Sequence, residues 1–341
     1  MSGFDAVLLL SFGGPEGPED VMPFLRNVVR GKNVPEERLL SVAHHYQRFG
    51  GVSPINEQNR CLIKALKAEL DQHRLDLPIY WGNRNWHPML EDTVAQMSRD
   101  GVKRALAFAT SAYSSYSSCR QYIDDIERAR FAVGIEAPQI EKIKPFYCHP
   151  GFIRANIDRL KEALSQLNAP AGDAVHVAFS AHSIPLSMAL GCRYQEQLTT
   201  VAEAVANGAG ISDWKLVYQS RSGPAHVPWL EPDINDHLRF LRVMGKQNVV
   251  VHPVGFISDH MEVRYDLDTE AASLAAKLGL NMVRAGTVGT HPSFVGMIRE
   301  LIVEHLEGGA LAGGCFEATM CDPGCCLYQQ DDAPGTAHTR I

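Results

Sequence analysis

The stretch FDAVLLLSFGG, residues 4–14, joins a short apolar run directly to a turn that contains two glycines. A second stretch, VHVAFSAHS at residues 175–183, has the same plan, because an apolar run again leads into polar residues. Runs of this kind are typical of strands buried on both faces. Two similar openings indicate a duplicated architecture. Because ligands bind beyond the carboxyl ends of parallel strands, we expect both turns to face one shared cleft.

In the rest of the chain, short β-rich runs alternate with longer amphipathic segments. Strands are predicted at 5–11, 78–82, 104–109, 140–144, 174–180, 215–219, 248–253 and 280–284. Helices are predicted at 56–73, 89–99, 119–133, 151–167, 194–206 and 233–243. The alternation predicts an α/β fold of two doubly wound domains with parallel sheets, although a (β/α)8 barrel has the same strand count. Turn residues near position 150 divide the chain into domains at 1–149 and 150–305 and a cysteine-rich tail at 306–341.

The composition excludes some classes of partner. With 45% hydrophobic residues, 21% charged residues and a net charge of −7, the chain has no basic field for nucleic acid. The apolar run at residues 6–10 lacks the basic flank and the cleavage site of a signal peptide. No run reaches the roughly 18 apolar residues of a membrane helix. We therefore expect a cytoplasmic protein, and a monomer because no exposed apolar stripe is evident.

Carboxylates recur at every fourth position in the segment VGFISDHMEVRYDLDTE, residues 254–270. On a helix, Glu262, Asp266 and Glu270 would share one face and form a ladder that spans roughly 12 Å. Like charges at this spacing repel each other. The ladder therefore predicts either a divalent cation or a proton relay that offsets the repulsion.

The start of the same helix has another interpretation. Ser258 or Asp259 is a plausible N-cap, and Asp259 with Glu262 could form a capping box. Arg264 could also pair with Asp268 four residues further on. In this interpretation the acidic residues form a solvated face, and the spacing alone leaves both interpretations open.

A histidine follows the predicted strand at residues 174–180. His182 should emerge at the carboxyl end of this strand, where it could act as a base, a metal ligand or a hydrogen-bonded loop residue. The adjacent Ser183 raises the alternative of a Ser-His hydrolase. That alternative lacks its nucleophile elbow, because no G-x-S-x-G motif is present.

The N-terminal part of the chain contains a candidate anion site. A helix that begins at Pro18–Asp20 is predicted to carry Arg26 and Arg30, and the forked guanidinium of Arg30 suits a carboxylate. Ser53 could cap the helix that starts near Pro54 and leave backbone N–H groups free for an anion. The alternative is that these arginines lie on a solvated helix surface.

Four of the eight cysteines crowd into the twelve residues from Cys315 to Cys326, with Cys321 and Cys325 between them. In a large chain without a secretory signal, such clustering favours a metal site over a disulfide framework. Four thiolates could hold an iron–sulfur cluster or zinc. Adjacent cysteines seldom both bind one cluster, so Cys148, at the predicted domain junction, is a candidate fourth ligand. The alternative is a tail of incidental cysteines.

Seven short motifs occur in a fixed order over nearly the whole chain. The first half contains LLSFGGPEGPEDV at 9–21, FGGVSPI at 49–55 and GNRNW at 82–86. The second half contains FSAHSIP at 179–185, YQSRSGP at 218–224, PWL at 228–230 and GFISDHMEVRYDLD at 255–268. Together they resemble the ferrochelatase family, whose members insert ferrous iron into a porphyrin.

The resemblance implies two Rossmann-like domains with a porphyrin cleft between them. The residues that match His182 and Glu262 face the porphyrin centre in the family and are catalytic, and those that match Asp266 and Glu270 continue as a polar path. All four are therefore implied to handle the metal. A histidine suits the role of acceptor for pyrrole protons, because its unperturbed pKa is about 6.5.

The resemblance also implies a set of residues that contact the porphyrin. Arg30, Ser53 and Tyr122 match residues that bind its propionates. Phe12 replaces a tyrosine that ligates the product iron in some bacterial relatives. His45 replaces an arginine that binds a propionate in others.

The opening segment and the cysteine tail look most like the actinobacterial branch, which resembles coproporphyrin-using enzymes and carries a [2Fe–2S] cluster. Charged residues are frequent in residues 31–51, and a long apolar lip is absent. We therefore expect coproporphyrin III as the substrate, with protoporphyrin IX as the alternative. By resemblance, the cluster ligands are Cys148, Cys315, Cys321 and Cys326, with Cys325 as the substitute for Cys326.

Two further interpretations stay open. The chain could be another chelatase that acts on an earlier tetrapyrrole, because metal selectivity depends on geometry more than on residue type. It could also be a haem carrier without chelatase activity, although a carrier needs no proton acceptor such as His182. Cys192 stands where the family often has an aspartate, and no role is assigned to it.

Overall fold

The computed structural model describes residues 3–31, 34–167, 175–223, 226–308 and 325–327. Its framework consists of two four-stranded parallel sheets with helices between successive strands. Of the tail residues discussed above, Cys315 and Cys321 lie outside the described residues.

The first sheet has β1 at its centre, in the order β2-β1-β3-β4. Its strands are β1 (Ala6–Ser11), β2 (Ile79–Asn83), β3 (Arg104–Ala109) and β4 (Gln139–Lys142). All six residues of β1 are buried, with Val7 and Leu9 in one apolar cluster and Leu8 and Leu10 in another. Both faces of this sheet are therefore covered, as the continuous apolar run predicts.

The second sheet repeats this arrangement in the order β6-β5-β7-β8. Its strands are β5 (Val175–His182), β6 (Trp214–Gln219), β7 (Asn248–His252) and β8 (Asn281–Arg284). In each sheet the first strand lies between the second and the third, which confirms the predicted duplication. The eight strands match the predicted ones to within two residues at each end. The barrel alternative is wrong, because the strands form two open sheets.

The helices lie largely where the amphipathic segments predicted them. They are α1 (Val21–Val28), α2 (Glu36–Gln47), α3 (Ile55–Gln72), α4 (Leu90–Arg99), α5 (Gln121–Val133), α6 (Pro150–Gln166), α7 (Leu186–Leu190), α8 (Tyr194–Ala209), α9 (Ile234–Val243), α10 (Ala272–Leu278) and α11 (Pro292–Glu307). Helix α6 begins where a domain boundary is predicted, and the His149 side chain caps it by accepting the Gly151 N–H at 3.1 Å. No helix among the described ranges is long and apolar enough to cross a membrane.

Two segments are π-helices rather than α-helices. They are π1 (Tyr116–Arg120), which leads into α5, and π2 (Val263–Ala271), which leads into α10 and carries part of the carboxylate ladder. In a π-helix the hydrogen bonds run from residue i to residue i+5, and such segments are frequent at functional sites. The prediction of ordinary α-helical turns for the ladder is therefore wrong in its hydrogen bonding. The four-residue spacing alone does not distinguish the two helix types.

An aromatic cluster joins the two halves of the molecule. Phe108 of β3 stacks on Phe146 with ring centroids 4.9 Å apart, and Phe146 contacts Phe152 of α6 at 5.7 Å. Phe294 of α11 packs against all three rings at 6.0–6.2 Å. Each ring is almost fully buried, and burial of a phenylalanine stabilises a fold by about 1.5–3 kcal/mol. The halves therefore share one core.

Polar contacts fix the same junction. The buried Tyr113 hydroxyl donates to the Val254 carbonyl oxygen at 2.7 Å. The Gln58 side chain of α3 pairs with the backbone of Asp259, donating at 3.2 Å and accepting at 2.8 Å. Since Val254 and Asp259 both follow β7, the loop that leads to the carboxylate ladder is anchored on the first domain.

A buried histidine pair lies at the amino end of the second sheet. The His176 Nδ1 atom is 2.8 Å from the Asp213 carboxylate, and its Nε2 atom is 2.9 Å from Nε2 of His237. Nδ1 must donate to Asp213, so the Nε2 atom of His176 accepts from His237. Burial, reinforced by the neighbouring His176, lowers the pKa of His237 to about 4. A proton added to His176 would place two N–H groups opposite each other, and a proton added to His237 would bury a charge beside it, so the fold favours the neutral pair.

This pair predicts that the protein loses stability in mild acid. His237 titrates near pH 6.5 in the unfolded chain and near 4 in the folded one, so its contribution is complete above pH 6.5 and is lost as the pH falls toward 4. In His237→Gln, which keeps a donor but does not titrate, the loss of unfolding free energy between pH 7 and pH 5 should be smaller by about 2 kcal/mol. Urea unfolding at the two pH values measures this difference.

The matched control is His73→Gln at an exposed position, which should unfold with the wild-type pH dependence. An equal loss of stability in wild type and His237→Gln would show that the buried pair is not the source of acid sensitivity.

Candidate active site

The centre of the candidate site is a contact between His182 and Glu262. Strand β5 ends at His182, as predicted, and Nδ1 of this histidine is hydrogen-bonded to the Ser183 carbonyl oxygen. The Nε2 atom lies 3.6 Å from Oε1 of Glu262. Because the carbonyl can only accept, it fixes the proton on Nδ1 and leaves Nε2 facing the carboxylate. The ring is therefore oriented by the backbone and its second nitrogen is available for proton transfer.

The helix that carries Glu262 is capped by a histidine. The His260 Nδ1 atom accepts the Glu262 N–H at 3.2 Å. The prediction of Ser258 or Asp259 as the N-cap is wrong, and so is the capping box. The carboxylate of Asp259 instead contacts the Arg284 guanidinium at 2.8 Å. Glu262 is therefore not used as a capping residue and can face His182.

The middle residue of the ladder, Asp266, is held by side chains at the carboxyl end of β6. Oδ2 of Asp266 accepts a hydrogen bond from the Ser220 hydroxyl and lies 3.4 Å from Nε2 of Gln219. Burial is the main cause that raises the pKa of Asp266 to about 7, and Glu262 and Glu270 add to it by repulsion. Asp266 can therefore gain or lose a proton close to neutral pH, which a surface aspartate does not do.

The outer end of the ladder lies against the first domain. His45 of α2 stacks on Tyr265 of π2, with ring centroids 3.8 Å apart and an angle of 8° between the planes. Burial raises the pKa of the Tyr265 hydroxyl, Glu270 adds to this rise, and Arg48 opposes it. The four predicted residues from His182 to Glu270 thus form a line. Within the described ranges, no three histidine, cysteine or acidic side chains converge on one metal position.

The two central groups shift each other's titration in opposite directions. Burial alone lowers the pKa of His182, but the Glu262 carboxylate and the Ser183 carbonyl outweigh it, so the net pKa is raised. Burial alone raises the pKa of Glu262, and the charge of His182 reverses this, so its net pKa is lowered. The pair therefore rests as an imidazolium beside a carboxylate. The His182 imidazolium must first lose a proton before the ring can accept one from the substrate.

Aromatic side chains of the first domain form the opposite wall. Phe24 of α1 contacts Phe12, Tyr46 and Trp86, with ring centroids 6.1, 5.8 and 6.4 Å away. The charge of Glu262 raises the pKa of Tyr46 further beyond the effect of its burial, which places this wall within electrostatic range of the ladder. A flat apolar ligand between the walls would thus meet rings on one side and ionisable groups on the other.

Two of the predicted porphyrin contacts are accessible. The Phe12 ring is 36% exposed and lies at the edge of the aromatic wall. Helix α1 ends at Val28, so the prediction that it carries Arg30 is wrong. Arg30 is exposed beyond the helix end, where its Nη2 atom donates to Oδ1 of Asn27 at 2.7 Å. Its guanidinium is thus placed to reach a carboxylate.

Of the other three predicted contacts, His45 is half-buried against Tyr265, and Ser53 and Tyr122 are buried. Ser53 is 4% exposed and lies against the turn at Gly14, and it does not cap α3, whose N-cap is Pro54. Tyr122 is also 4% exposed, with the Arg84 guanidinium 3.9 Å above its ring. Their roles as propionate ligands remain predictions.

Sequence reasoning missed several polar residues of the site. Within the motifs, His260 was passed over although it directly precedes the Met261–Glu262 pair, and Ser220 lies in the YQSRSGP motif. Arg84 of the GNRNW motif forms a buried ion pair with Asp125, whose side chain is 3% exposed. A search for polar residues inside the shared motifs would have found His260, Ser220 and Arg84. No local signal marks Asp125.

The duplicated sheets, with an ionisable pair at the carboxyl end of β5, have the two-domain fold that is found in metal chelatases. Among solved structures, the cobalt complex of the sirohydrochlorin chelatase from Bacillus subtilis subspecies spizizenii aligns with a TM-score of 0.54. This alignment covers 89% of this chain and 95% of that one at 13% identity, which supports the fold alone.

Sequence comparison narrows the class to one family. The ferrochelatase family model matches residues 4–306. The coproporphyrin III ferrochelatase of Nocardia farcinica is 52% identical over 345 residues, which cover 96% of this chain and 98% of that protein. The ferrochelatase of Rhodopirellula baltica is 52% identical over 95% of this chain and 94% of its own length. The chain therefore belongs to the ferrochelatase family, and it is an enzyme that inserts ferrous iron into a porphyrin.

The His182–Glu262 contact predicts a specific change in the pH dependence of catalysis. If neutral His182 accepts a proton, activity rises as the pH approaches its raised pKa. Glu262→Gln removes the charge that favours the imidazolium, so the acid limb of kcat/KM should move about 1–2 pH units lower. The maximal rate should also fall about 100-fold. Stopped-time assays across a pH series measure both effects.

Glu203→Gln, an exposed change on α8, is the matched control and should keep the wild-type profile. An acid limb that stays in place in Glu262→Gln would contradict the assignment of this limb to His182.

Proposed function

We propose that the enzyme uses coproporphyrin III and that His182 accepts its pyrrole protons. The observation that carries the catalytic assignment is the contact of His182 with Glu262 at 3.6 Å, from which Asp266 and Glu270 lead outward. Ferrous iron enters the ring as two N–H protons leave, so the reaction needs a route for a cation and an acceptor for protons. The line of four residues offers both.

The titration of Asp266 suits an exchange of iron for protons. With a pKa of about 7, this carboxyl is partly protonated when no cation is near. A ferrous ion beside it would lower its pKa and release the proton, because an opposite charge favours the ionised form. The proton released by Asp266 offsets one of the two charges of the ion at this position, and the balance is complete only when the ion enters the porphyrin and both pyrrole protons leave. Ser220 keeps the carboxyl oriented during this exchange.

Glu262 has a separate role beside the porphyrin. Its lowered pKa keeps it ionised, so it balances the imidazolium that forms when His182 takes a proton. Its oxygens are also suitable ligands for the ferrous ion that is about to enter the ring. The aromatic wall around Phe24 provides the opposing surface against which the macrocycle can be held. Positioning of both reactants is itself a large part of such catalysis.

Two observations support coproporphyrin III as the porphyrin. Relatives with this substrate in their name include the Streptomyces coelicolor protein, which is 48% identical over 95% of this chain. The exposed side of α2 is mostly polar, with Glu36, Glu37, Arg38 and His44 at its surface beside Leu40. Coproporphyrin carries four propionates, so polar side chains around the cleft stabilise it more than they stabilise a porphyrin with fewer carboxylates.

The substrate choice predicts a preference that a direct assay can measure. With ferrous iron under anaerobic conditions, kcat/KM for coproporphyrin III should exceed that for protoporphyrin IX about tenfold or more. His182→Ala should lower kcat with either porphyrin by about 100-fold or more, because the proton acceptor is lost. Soret absorbance follows both reactions.

His73→Gln serves as the control for loss of a histidine. A preference for protoporphyrin IX would overturn the substrate, while full activity of His182→Ala would overturn the proton acceptor.

The second part of the proposal is a [2Fe–2S] cluster held by Cys148, Cys315, Cys321 and Cys326. Within the described residues, Cys148 is buried beside the domain junction and Cys326 is half-buried. Burial raises the pKa of the Cys326 thiol to about 12, with Cys325 as the next cause. Thiols suit the cluster chemically, and its positive irons would offset the cost of ionising Cys326. Bound there, the cluster would pin the tail to the rest of the protein.

The proposed ligands predict which cysteine variants lose the cluster. Cys148→Ser and Cys326→Ser should lose iron, labile sulfide and the visible absorption, because a serine hydroxyl is a poor ligand for such a cluster. Cys61→Ser, at an exposed cysteine, is the control and should keep all three. If Cys325→Ser loses the cluster and Cys326→Ser keeps it, the ligand is Cys325 and not Cys326. Retention in Cys148→Ser would exclude the ligand at the junction.

The remaining proposals concern the assembly. We infer a monomer in the cytoplasm, with domains at 1–149 and 150–305 and a tail at 306–341. The change of sheet between β4 and β5 supports a boundary near residue 150.

A further inference from the structure

An open cavity of about 360 Å³ lies at the outer end of the carboxylate ladder. Its polar lining includes Arg48, Arg239, Lys277, Glu270, Thr269 and Ser273. The cavity is in the size range of small-molecule sites. Glu270 is the one residue of the ladder that lines it, so the cavity adjoins the proposed iron route.

The cations of the cavity come from three different elements. Arg48 follows α2, Arg239 lies on α9 and Lys277 lies on α10. Arg48 is held over the Tyr265 ring, with its guanidinium carbon 5.9 Å from the ring centroid. Arg239 shares its charge with the exposed Asp236 at 2.8 Å. Within the described ranges no ion pair involves Lys277, so it is available to an incoming anion.

The charges in the cavity make opposite demands on a ligand. Three cationic side chains repel a hydrated ferrous ion, whereas the Glu270 carboxylate repels a simple anion. A ligand that satisfies both has carboxylates on its periphery and a bound cation that it can present to Glu270. The hydroxyls of Thr269 and Ser273 add donors for such carboxylates.

We propose that this cavity binds a polycarboxylate chelate of ferrous iron and passes the iron to Glu270. In the transfer, bonds from iron to the carboxylate oxygens of the chelator break as bonds to Glu270 form. Iron stays ferrous, and the free chelator leaves as an anion. The inference rests on the proposed function, because Glu270 must lead inward to Asp266 and Glu262.

The test compares two iron sources in the full-length enzyme, with citrate as the chelator. One assay supplies ferrous citrate and the other supplies ferrous iron in a non-coordinating buffer. In the double variant Arg239→Glu and Lys277→Glu, kcat/KM for ferrous citrate should fall about tenfold or more, because the anion meets reversed charges. The rate with uncomplexed ferrous iron should stay equal or rise, since the cavity no longer repels the cation.

Arg154→Glu, an exposed arginine on α6 that does not line the cavity, is the matched charge-reversal control and should not change the ratio between the two iron sources. Lys277→Gln is a milder variant, in case the double variant unfolds, and should still reduce use of ferrous citrate selectively. An equal loss with both iron sources, or no loss with either, would overturn the proposal.

Failure of this inference is distinguishable from failure of the proposed function. Suppose that the wild type turns over uncomplexed ferrous iron normally and that the double variant has the wild-type kcat/KM for ferrous citrate. That result would contradict the chelate site alone. No turnover of wild type with uncomplexed iron would remove the proposed function itself. Calorimetric titration of citrate without iron supplies an independent readout, because the double variant should bind it about tenfold more weakly.

Discussion

His182 and Glu262 meet because β5 and β7 are neighbours in a parallel sheet. Val177 of β5 is paired with Val250 of β7, so both strands end at the same edge. The histidine is the last residue of the first strand, and the glutamate begins the helix that follows the loop after the second. This strand pairing brings together two residues that are 80 positions apart in the sequence. The ladder takes its position from that edge, and the cavity lies at the outer end of the ladder.

The same edge must be held rigidly against the first domain. The aromatic cluster around Phe146 and Phe294 joins the two cores, while Tyr113 and Gln58 anchor the loop after β7. These contacts are direct and mostly buried, so the two walls of the cleft are fixed by packing and not by a flexible hinge between separate cores. Preorganisation of this kind is what a reaction needs when two reactants must be aligned within about 0.5 Å.

Burial gives each carboxylate of the ladder a different character. Glu262 is ionised because His182 compensates its charge, whereas Asp266 lacks such a partner and titrates near neutral pH. Glu270 is exposed and lies beside cations from two domains. Three acids that look equivalent in the sequence therefore differ in exposure and charge. Glu270 is exposed at the outer end, and Glu262 is paired with His182 at the inner end. The thiols are also regrouped by folding, since Cys119 and Cys192 both lie close enough to Cys326 to affect its titration.

Much of this could be predicted from the sequence. Continuous apolar runs predicted all eight strands, and the position of His182 at a strand end followed from the polar residues after one of them. The four-residue repeat predicted a shared face for the acids. These features depend on residues close together in the chain, where local propensity and periodicity determine the outcome. The resemblance of seven motifs to the ferrochelatase family then indicated the reaction, which is insertion of ferrous iron into a porphyrin.

Tertiary structure decided the rest. The π-helical bonding of residues 263–271, the cap by His260 and the burial of Tyr122 beneath Arg84 left no periodic signal, because each depends on what packs against it. The pairing of His176 with His237 and the cavity that joins Arg48 to Lys277 bring together residues more than sixty positions apart. The sequence by itself therefore determined the elements and their chemistry, and only the packing of distant elements decided which groups meet and how they titrate.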